Sequence, residues 1–333
     1  LPISPVGFYV GLPTAATSNQ MAGRMRTLME MHHLPDSVRL LHSMARLTDE
    51  GEEAPWPKFE TEEERYASGW LLPVRRGLLG SYAVGTVDQA MMSVLLVKYG
   101  VLRLLGLAEK TLVIDELHSY DVYMSAILHR LLAWCKALEI PVVLLSATLP
   151  PEKKEQMLSA YTSDPIPSCY PSVTAITESG NVLVRPVSHT EKRQSVEVNL
   201  FPILHEAEKI AAKAVELGRD GGCICILLNT VRQAREVFQA IKANGFDGEL
   251  LLFRARFPAE RRNQIERRCL KLFGKERSAR PRKAILVATQ VVEQSLDVDF
   301  DVMMTAIAPI DLLFQRLGRE FRHNDTPRPP QFS

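Results

Sequence analysis

Short apolar runs recur along the chain, separated by longer mixed segments. GFYVGLP from Gly7, LVID from Leu112, VVLLSAT from Val142, CICILLN from Cys223, AILVAT from Ala284 and VMMTAI from Val302 are such runs. An unbroken apolar run, rather than an alternating one, suits a strand buried on both faces, and strands of that kind belong to parallel sheets. Between them, residues 88–105, 123–138, 206–217 and 231–244 carry helical spacing. Strand and helix therefore alternate in βαβ order, and the expected fold class is α/β with parallel sheets. Each run closes in small or polar residues (ID, SAT, NT, AT), and ligands of such sheets bind beyond the carboxyl ends of the strands.

A Pro-, Ser- and Thr-rich stretch, YTSDPIPSCYPSVTAITESG, shows no clear period, and the pattern restarts near residues 190–200. Since 333 residues exceed one comfortable core, two domains are expected, residues 1–195 and 196–333. An acidic segment at residues 49–64 and a basic one at 275–283 are charge runs of the kind that form solvated loops. The opening LPISPVGFYVGLPT reads as the middle of a domain, so an upstream part is expected.

Composition narrows the class. No apolar run approaches the roughly 20 residues that span a bilayer, so a membrane protein is not expected. A net charge of +1 gives no global pull toward a polyanion, and any nucleic-acid footprint must be local. Five irregularly spaced cysteines fit a reducing, cytoplasmic setting better than a disulfide framework. Cys223 and Cys225 form only C-x-C inside an apolar run, which puts both on one strand face and reads as core rather than metal ligation.

The chemistry concentrates where the runs end. LVID leads into Asp115 and Glu116, two carboxylates at the end of a strand. Nucleotide-hydrolysing folds use such a pair to hold Mg2+ and to orient the attacking water. The same pattern also fits a helix N-cap followed by a first-turn acid. Further on come Ser146-Ala147-Thr148, Leu228-Asn229-Thr230, ATQVVEQSLDVD from Ala288, and QRLGREFR from Gln315. In the last, Arg319 and Arg322 stand three apart, so on a helix they would share a face and could fork toward a triphosphate, or form a solvated basic face.

In this order the motifs resemble the superfamily 2 helicase motor with its two RecA-like domains. GLPTAATSNQM (residues 11–21) is similar to motif Ia, GTVDQAM (85–91) to Ib and DELH (115–118) to II; SAT resembles III, LLNTVRQA (227–234) IV, and the last two stretches V and VI. VGTVDQAM, IDELHSYDVYM, FRARFPAERR and QRLGR followed by RH resemble, more narrowly, the helicase part of the CRISPR-associated helicase–nuclease of type I systems.

The resemblance implies an ATP-dependent motor that travels on single-stranded DNA after recruitment by the RNA-guided surveillance complex, with ATP and Mg2+ as cofactors and no oligomer required. It implies Mg2+ at Asp115, water positioning by Glu116, and coupling through His118 to Ser146 and Thr148. Thr14, Thr86, Asn229 and Thr289 would contact the nucleic-acid backbone. Gln290, Glu293, Asp297, Gln315, Arg319 and Arg322 would form the second-domain side of the ATP site. Arg254, Arg256, Arg261 and Arg262 could line the DNA path or be solvated basic surface.

Two departures from the family pattern stand out. No G-x-x-x-x-G-K-[ST] phosphate loop occurs, and the family places that loop upstream of motif Ia. Glu320-Phe321 stands where the family more often has an apolar residue and His. The family's nuclease is a metal-dependent HD domain carrying transition metals, which nothing here supplies: His32, His33 and Asp36 do not form one, because adjacent histidines on a helix point apart. Trp56, Trp70 and Trp134 read as core rather than base-stacking residues. A superfamily 2 motor of DNA repair or restriction, and a nucleic-acid-binding protein without ATPase activity, are the alternative readings.

Overall fold

The computed structural model describes residues 7–33, 38–42, 76–188, 196–254, 257–293, 296–323 and 325–332. The chain divides into two compact units, Leu1–Arg193 and Gln194–Ser333.

In the first unit, strands β1 (Gly7–Leu12), β2 (Arg39–Leu41), β3 (Tyr82–Thr86), β4 (Lys110–Ile114) and β5 (Val142–Leu144) form a parallel sheet in the order β2-β3-β1-β4-β5. Helices α1 (Ala15–Met31), α2 (Val87–Met91), α3 (Gly100–Leu107), α4 (Val122–Ala137) and α5 (Pro151–Leu158) connect and cover it. Local chemistry starts the helices. Thr14 and Thr17 form a capping box at α1, and the Asp121 carboxylate accepts the Met124 amide at 2.8 Å to begin α4. Leu112 and Ile114 of β4 meet Leu128, Leu131 and Leu132 of α4 in one buried cluster with Tyr9. Each such leucine contributes about 1.5–3 kcal/mol by leaving water. A β-carbon at Gly85 would collide with the Leu41 carbonyl and the Tyr9 hydroxyl, so glycine is what lets β2 and β3 pack here.

Two expectations need correction. The helix expected over 88–105 is two helices, because α2 stops at Met91 and α3 starts after Tyr99, which has a left-handed φ of 67°. The buried Ser93 hydroxyl donates to Ala90 O at 2.6 Å, an alternative to continuing the helix. The Pro-, Ser- and Thr-rich stretch is also not featureless: β6 (Ser172–Ile176) pairs antiparallel with β7 (Val182–Pro186), within the first unit. Both strands are short and half-exposed, and β7 lies beyond the Pro-, Ser- and Thr-rich stretch, so no buried apolar run marks the ribbon there.

In the second unit, β8 (Gly222–Leu227), β9 (Glu249–Phe253), β10 (Lys283–Ala288) and β11 (Val302–Thr305) make a parallel sheet in the order β11-β8-β10-β9. Helices α6 (Ala207–Leu217), α7 (Val231–Ala243), α8 (Ala259–Phe273) and α9 (Ile310–Leu317) accompany it. β8 is buried along its whole length, as its unbroken apolar run requires. Cys223 and Cys225 lie inside it, and burial pushes the Cys223 thiol up to about 12. Among the described residues no helix is long and apolar enough to cross a membrane.

Candidate functional site

Parallel strands bring their carboxyl ends to one edge. In the first sheet that edge collects Thr14 after β1, Thr86 at the end of β3, Asp115 after β4 and Ser146 after β5. Asp115 extends the ladder by one bond, its amide donating to Gly11 O at 3.0 Å. The chain then turns sharply: Glu116 has φ 56° and ψ 43°, a conformation costly for a side-chain-bearing residue, and its amide donates to Asp115 Oδ1 at 2.8 Å. That bond orients the Asp115 carboxylate, and Leu117 N to Leu145 O at 3.1 Å ties the turn to the end of β5.

His118 is the hub. Its side chain is 4% exposed, with Nε2 3.1 Å from Glu116 Oε2 and Nδ1 3.0 Å from Ser146 Oγ. The Ser146 hydroxyl also lies 3.1 Å from Thr148 O. One imidazole thus joins the acid pair to the segment after β5. The backbone below is held by residues that sequence reading had missed. The Tyr120 hydroxyl donates to Asp115 O at 3.0 Å, and Lys153 Nζ donates to Tyr120 O at 2.7 Å and His118 O at 3.3 Å. Burial, reinforced by the Asp115, Asp88 and Glu116 carboxylates, pushes the Tyr120 hydroxyl far above the ordinary tyrosine range and keeps it a neutral donor. Tyr9, fully buried, does the same for the neighbouring strand, donating to Thr86 O at 2.7 Å. The Thr14 hydroxyl is engaged with Thr17 in the α1 cap. As a hard oxygen ligand with a fixed orientation, Asp115 suits Mg2+, which takes one or two carboxylates and completes its shell with phosphate and water.

The second unit gathers the other residues singled out in the sequence. At the strand ends, Asn229 Nδ2 donates to Ile307 O at 3.0 Å and Gln290 Nε2 to Asn229 O at 3.2 Å. Thr289 is buried, and its amide donates to Phe253 O at 3.1 Å. Arg254 lies 4.3 Å over the Phe257 ring, and Arg256 falls outside the described residues. Gln315 is half-buried on α9.

Arg319 and Arg322 do not share a helix face. α9 ends at Leu317 with Gly318 as its cap, tight turns return the Arg319 and Glu320 amides to Arg316 O and Leu317 O, and Phe321 has φ 51°. The two guanidinium groups have different surroundings. Arg319 is buried and donates to the backbone carbonyls of Glu293 and Leu296. The Arg322 side chain is 44% exposed, its Nε donating to Asp297 Oδ1 at 2.7 Å. Asp297 also receives His323 Nε2 at 3.2 Å; partial burial pulls its pKa upward, but the bonds from His323 and Arg322 prevail and bring it below the ordinary value. The Glu293 carboxylate is buried against Arg316, whose Nε lies 2.7 Å from Oε1 and whose Nη1 also donates to Ala306 O at 2.8 Å. Arg316 went unread because an arginine on an amphipathic helix normally faces water, and its partner lies 23 residues away.

Known proteins resemble this chain over nearly its whole length. Residues 220–325 match the family model of the C-terminal part of the CRISPR-associated nuclease/helicase Cas3. Over 98% of its length the chain is 36% identical to the CRISPR-associated endonuclease/helicase Cas3 of Thermus thermophilus, covering 40% of that protein. A crystal structure of T. fusca Cas3 with ATP superposes with a TM-score of 0.84 at 34% identity, over 98% of this chain and 40% of that one. A chain of a CRISPR RNA-guided surveillance complex in a pre-nicking state gives a TM-score of 0.69 at 32% identity, over 98% of this chain and 41% of that one. The chain therefore spans about two fifths of the length of the relatives it matches. Two parallel α/β sheets, an acid pair closing a central strand and identity at this level over nearly every residue place it: the chain belongs to the Cas3 family of CRISPR-associated nuclease/helicases.

Proposed function

We propose that this chain is the ATP-driven motor of a type I CRISPR interference nuclease, translocating on single-stranded target DNA after recruitment by the RNA-guided surveillance complex. The observation that carries the reading is the His118 bridge, which links Glu116 to Ser146 and so joins the acid pair to the segment after β5. A carboxylate that only capped a helix would not need a buried histidine between it and a second strand end.

In this reading Asp115 is the protein ligand of Mg2+, which when bound offsets charge on the phosphate oxygens. Glu116 orients the attacking water, and His118 fixes where its carboxylate sits. Arg322, with its guanidinium at the surface and held by Asp297, supplies positive charge to the transferred phosphoryl group. Arg319 supports that segment by gripping the backbone carbonyls of Glu293 and Leu296. Thr14, Thr86, Asn229 and Arg254 belong to the surface that holds the DNA backbone without reading sequence, whereas Thr289, expected to join them, is buried and supports the end of β10 from within. The phosphate loop and the HD nuclease with its metal ions belong to further segments of the full-length protein.

The test uses the full-length protein. Asp115→Asn and Arg322→Ala should each abolish ATP hydrolysis stimulated by single-stranded DNA while binding of the strand persists. Survival of turnover in both variants would show that these catalytic roles are misassigned.

A further inference from the structure

A buried group of four charges lies next to Arg322 and has no part in the mechanism above. Arg280, Asp299, Asp301 and Arg328 are each at most 8% exposed in their side chains. Arg328 forks onto both carboxylates, with Nη2 at 2.8 Å from Asp299 Oδ1 and Nη1 at 2.5 Å from Asp301 Oδ1. Arg280 closes the ring, its Nη2 at 3.1 Å from Asp301 Oδ1 and its Nη1 donating to Asp299 O at 2.8 Å. Two positive and two negative groups balance, so the set tolerates burial, and Asp301 Oδ2 also accepts the Cys223 amide at 2.7 Å, although buried ion pairs often stabilise no more than well-packed apolar groups. Stability alone therefore does not account for it.

Its contacts suggest what does. Asp299 Oδ1 accepts the backbone N–H of Arg322 at 2.7 Å. The guanidinium of Arg328 stacks 4.0 Å over the ring of Phe321, the residue just before Arg322. Phe321 holds the left-handed φ of 51°, and its amide donates to Phe300 O at 3.1 Å. The turn that aims Arg322 is thus set by one carboxylate on its amide and one guanidinium on the preceding ring. The Glu320-Phe321 pair, unexplained by the motif pattern, supplies that ring.

We propose that Asp299 and Arg328, locked by Arg280 and Asp301, are positioning residues that set Arg322 for ATP turnover, an inference that rests on the reading of Arg322 given above. The four charges are buried and satisfied by one another, so the clamp acts through Arg322 on the rate of the chemical step and leaves binding alone.

The experiment compares Arg328→Lys, Phe321→Leu and Arg322→Ala in the full-length protein. Phe321→Leu removes the stacked ring while every buried charge keeps its partner, so this variant folds even where a change at Arg328 does not. The expected result is a kcat for DNA-stimulated ATP hydrolysis lowered about tenfold in both clamp variants, with KM for ATP and single-strand affinity within about twofold of the parent. If Arg322→Ala abolishes turnover while both clamp variants turn over at the parent rate, the clamp is refuted and the reading of Arg322 stands. If Arg322→Ala itself turns over normally, that reading fails and the clamp with it. A loss of turnover matched by an equal loss of folded protein, measured by active-site titration, makes the network purely structural and also overturns the proposal.

Discussion

His118 and Ser146 are joined by a hydrogen bond of 3.0 Å between the ring Nδ1 and the hydroxyl, and the opposite ring nitrogen faces Glu116 at 3.1 Å. Because the ring is nearly buried, it cannot move on one side without moving on the other. Ser146→Ala removes the hydroxyl partner of the ring and leaves Asp115 and Glu116 in place. Loss of one such bond costs about 1 kcal/mol, or about fivefold in rate, so ATP turnover should fall modestly. Strand displacement should fall further, because the link to the segment after β5 is what has been cut. Measuring both activities on one preparation decides the matter: an unchanged ratio of displacement to turnover would remove His118 from the coupling path.

The unequal surroundings of Arg319 and Arg322 give a prediction that does not depend on activity. Arg319→Ala strands the buried carbonyls of Glu293 and Leu296, at about 1–3 kcal/mol for each acceptor left unsatisfied. Arg322→Ala removes a half-exposed side chain from a partly buried carboxylate that keeps His323 as a partner, worth at most about 1 kcal/mol. Chemical denaturation should therefore show a clear loss of stability for the first variant and almost none for the second. Equal stabilities would mean that the Arg319 guanidinium is not gripping the Glu293 and Leu296 carbonyls.

The sequence exposes some of this plainly and hides the rest for physical reasons. LVID, CICILLN and AILVAT became β4, β8 and β10 because central strands of a parallel sheet are buried on both faces and must be apolar throughout. β3 was overlooked: its Gly85 looks like a turn signal, yet it is there so that the Leu41 backbone and the Tyr9 hydroxyl can approach. The acid pair and its histidine were legible because their chemistry is local, within four residues of the end of β4. Arg316 and Glu293, and the Asp299–Arg328 pair, were not, because each unites segments more than twenty residues apart and only the folded chain brings them together. The turn after α9 escaped for a similar reason, since Phe321 is held in its left-handed conformation by Phe300 and Arg328 rather than by its own propensity.

Arg254 follows β9 at the carboxyl edge of the second sheet, its guanidinium already ordered over Phe257. If it contacts a phosphate of the bound strand, Arg254→Ala should weaken binding alike for every sequence and reduce the slope of log affinity against log salt by about 0.7. A titration series over several salt concentrations measures that slope directly. The same slope in parent and variant would take Arg254 off the DNA path and leave it as solvated basic surface.

Glu320 carries a pH dependence whose direction follows from its burial. Loss of water pushes its carboxyl pKa above the ordinary glutamate value and Asp301 adds to the shift, while the Met303 amide and Arg328 oppose it. The folded protein therefore binds this proton more tightly than the unfolded chain does. The associated stability is fully present below the ordinary glutamate pKa, and it is lost as pH rises through the raised folded value. Glu320→Gln removes the ionisation and keeps an acceptor for the Met303 amide. The variant should thus be more stable than the parent near neutral pH and equal to it at about pH 4, where the parent carboxyl is itself largely protonated. Urea unfolding midpoints at the two pH values test this, with the slope of each transition checked for constancy. A parent that gains on the variant as pH rises would show that Arg328 outweighs desolvation at this site and that Glu320 is a stabilising member of the cluster beside Arg322.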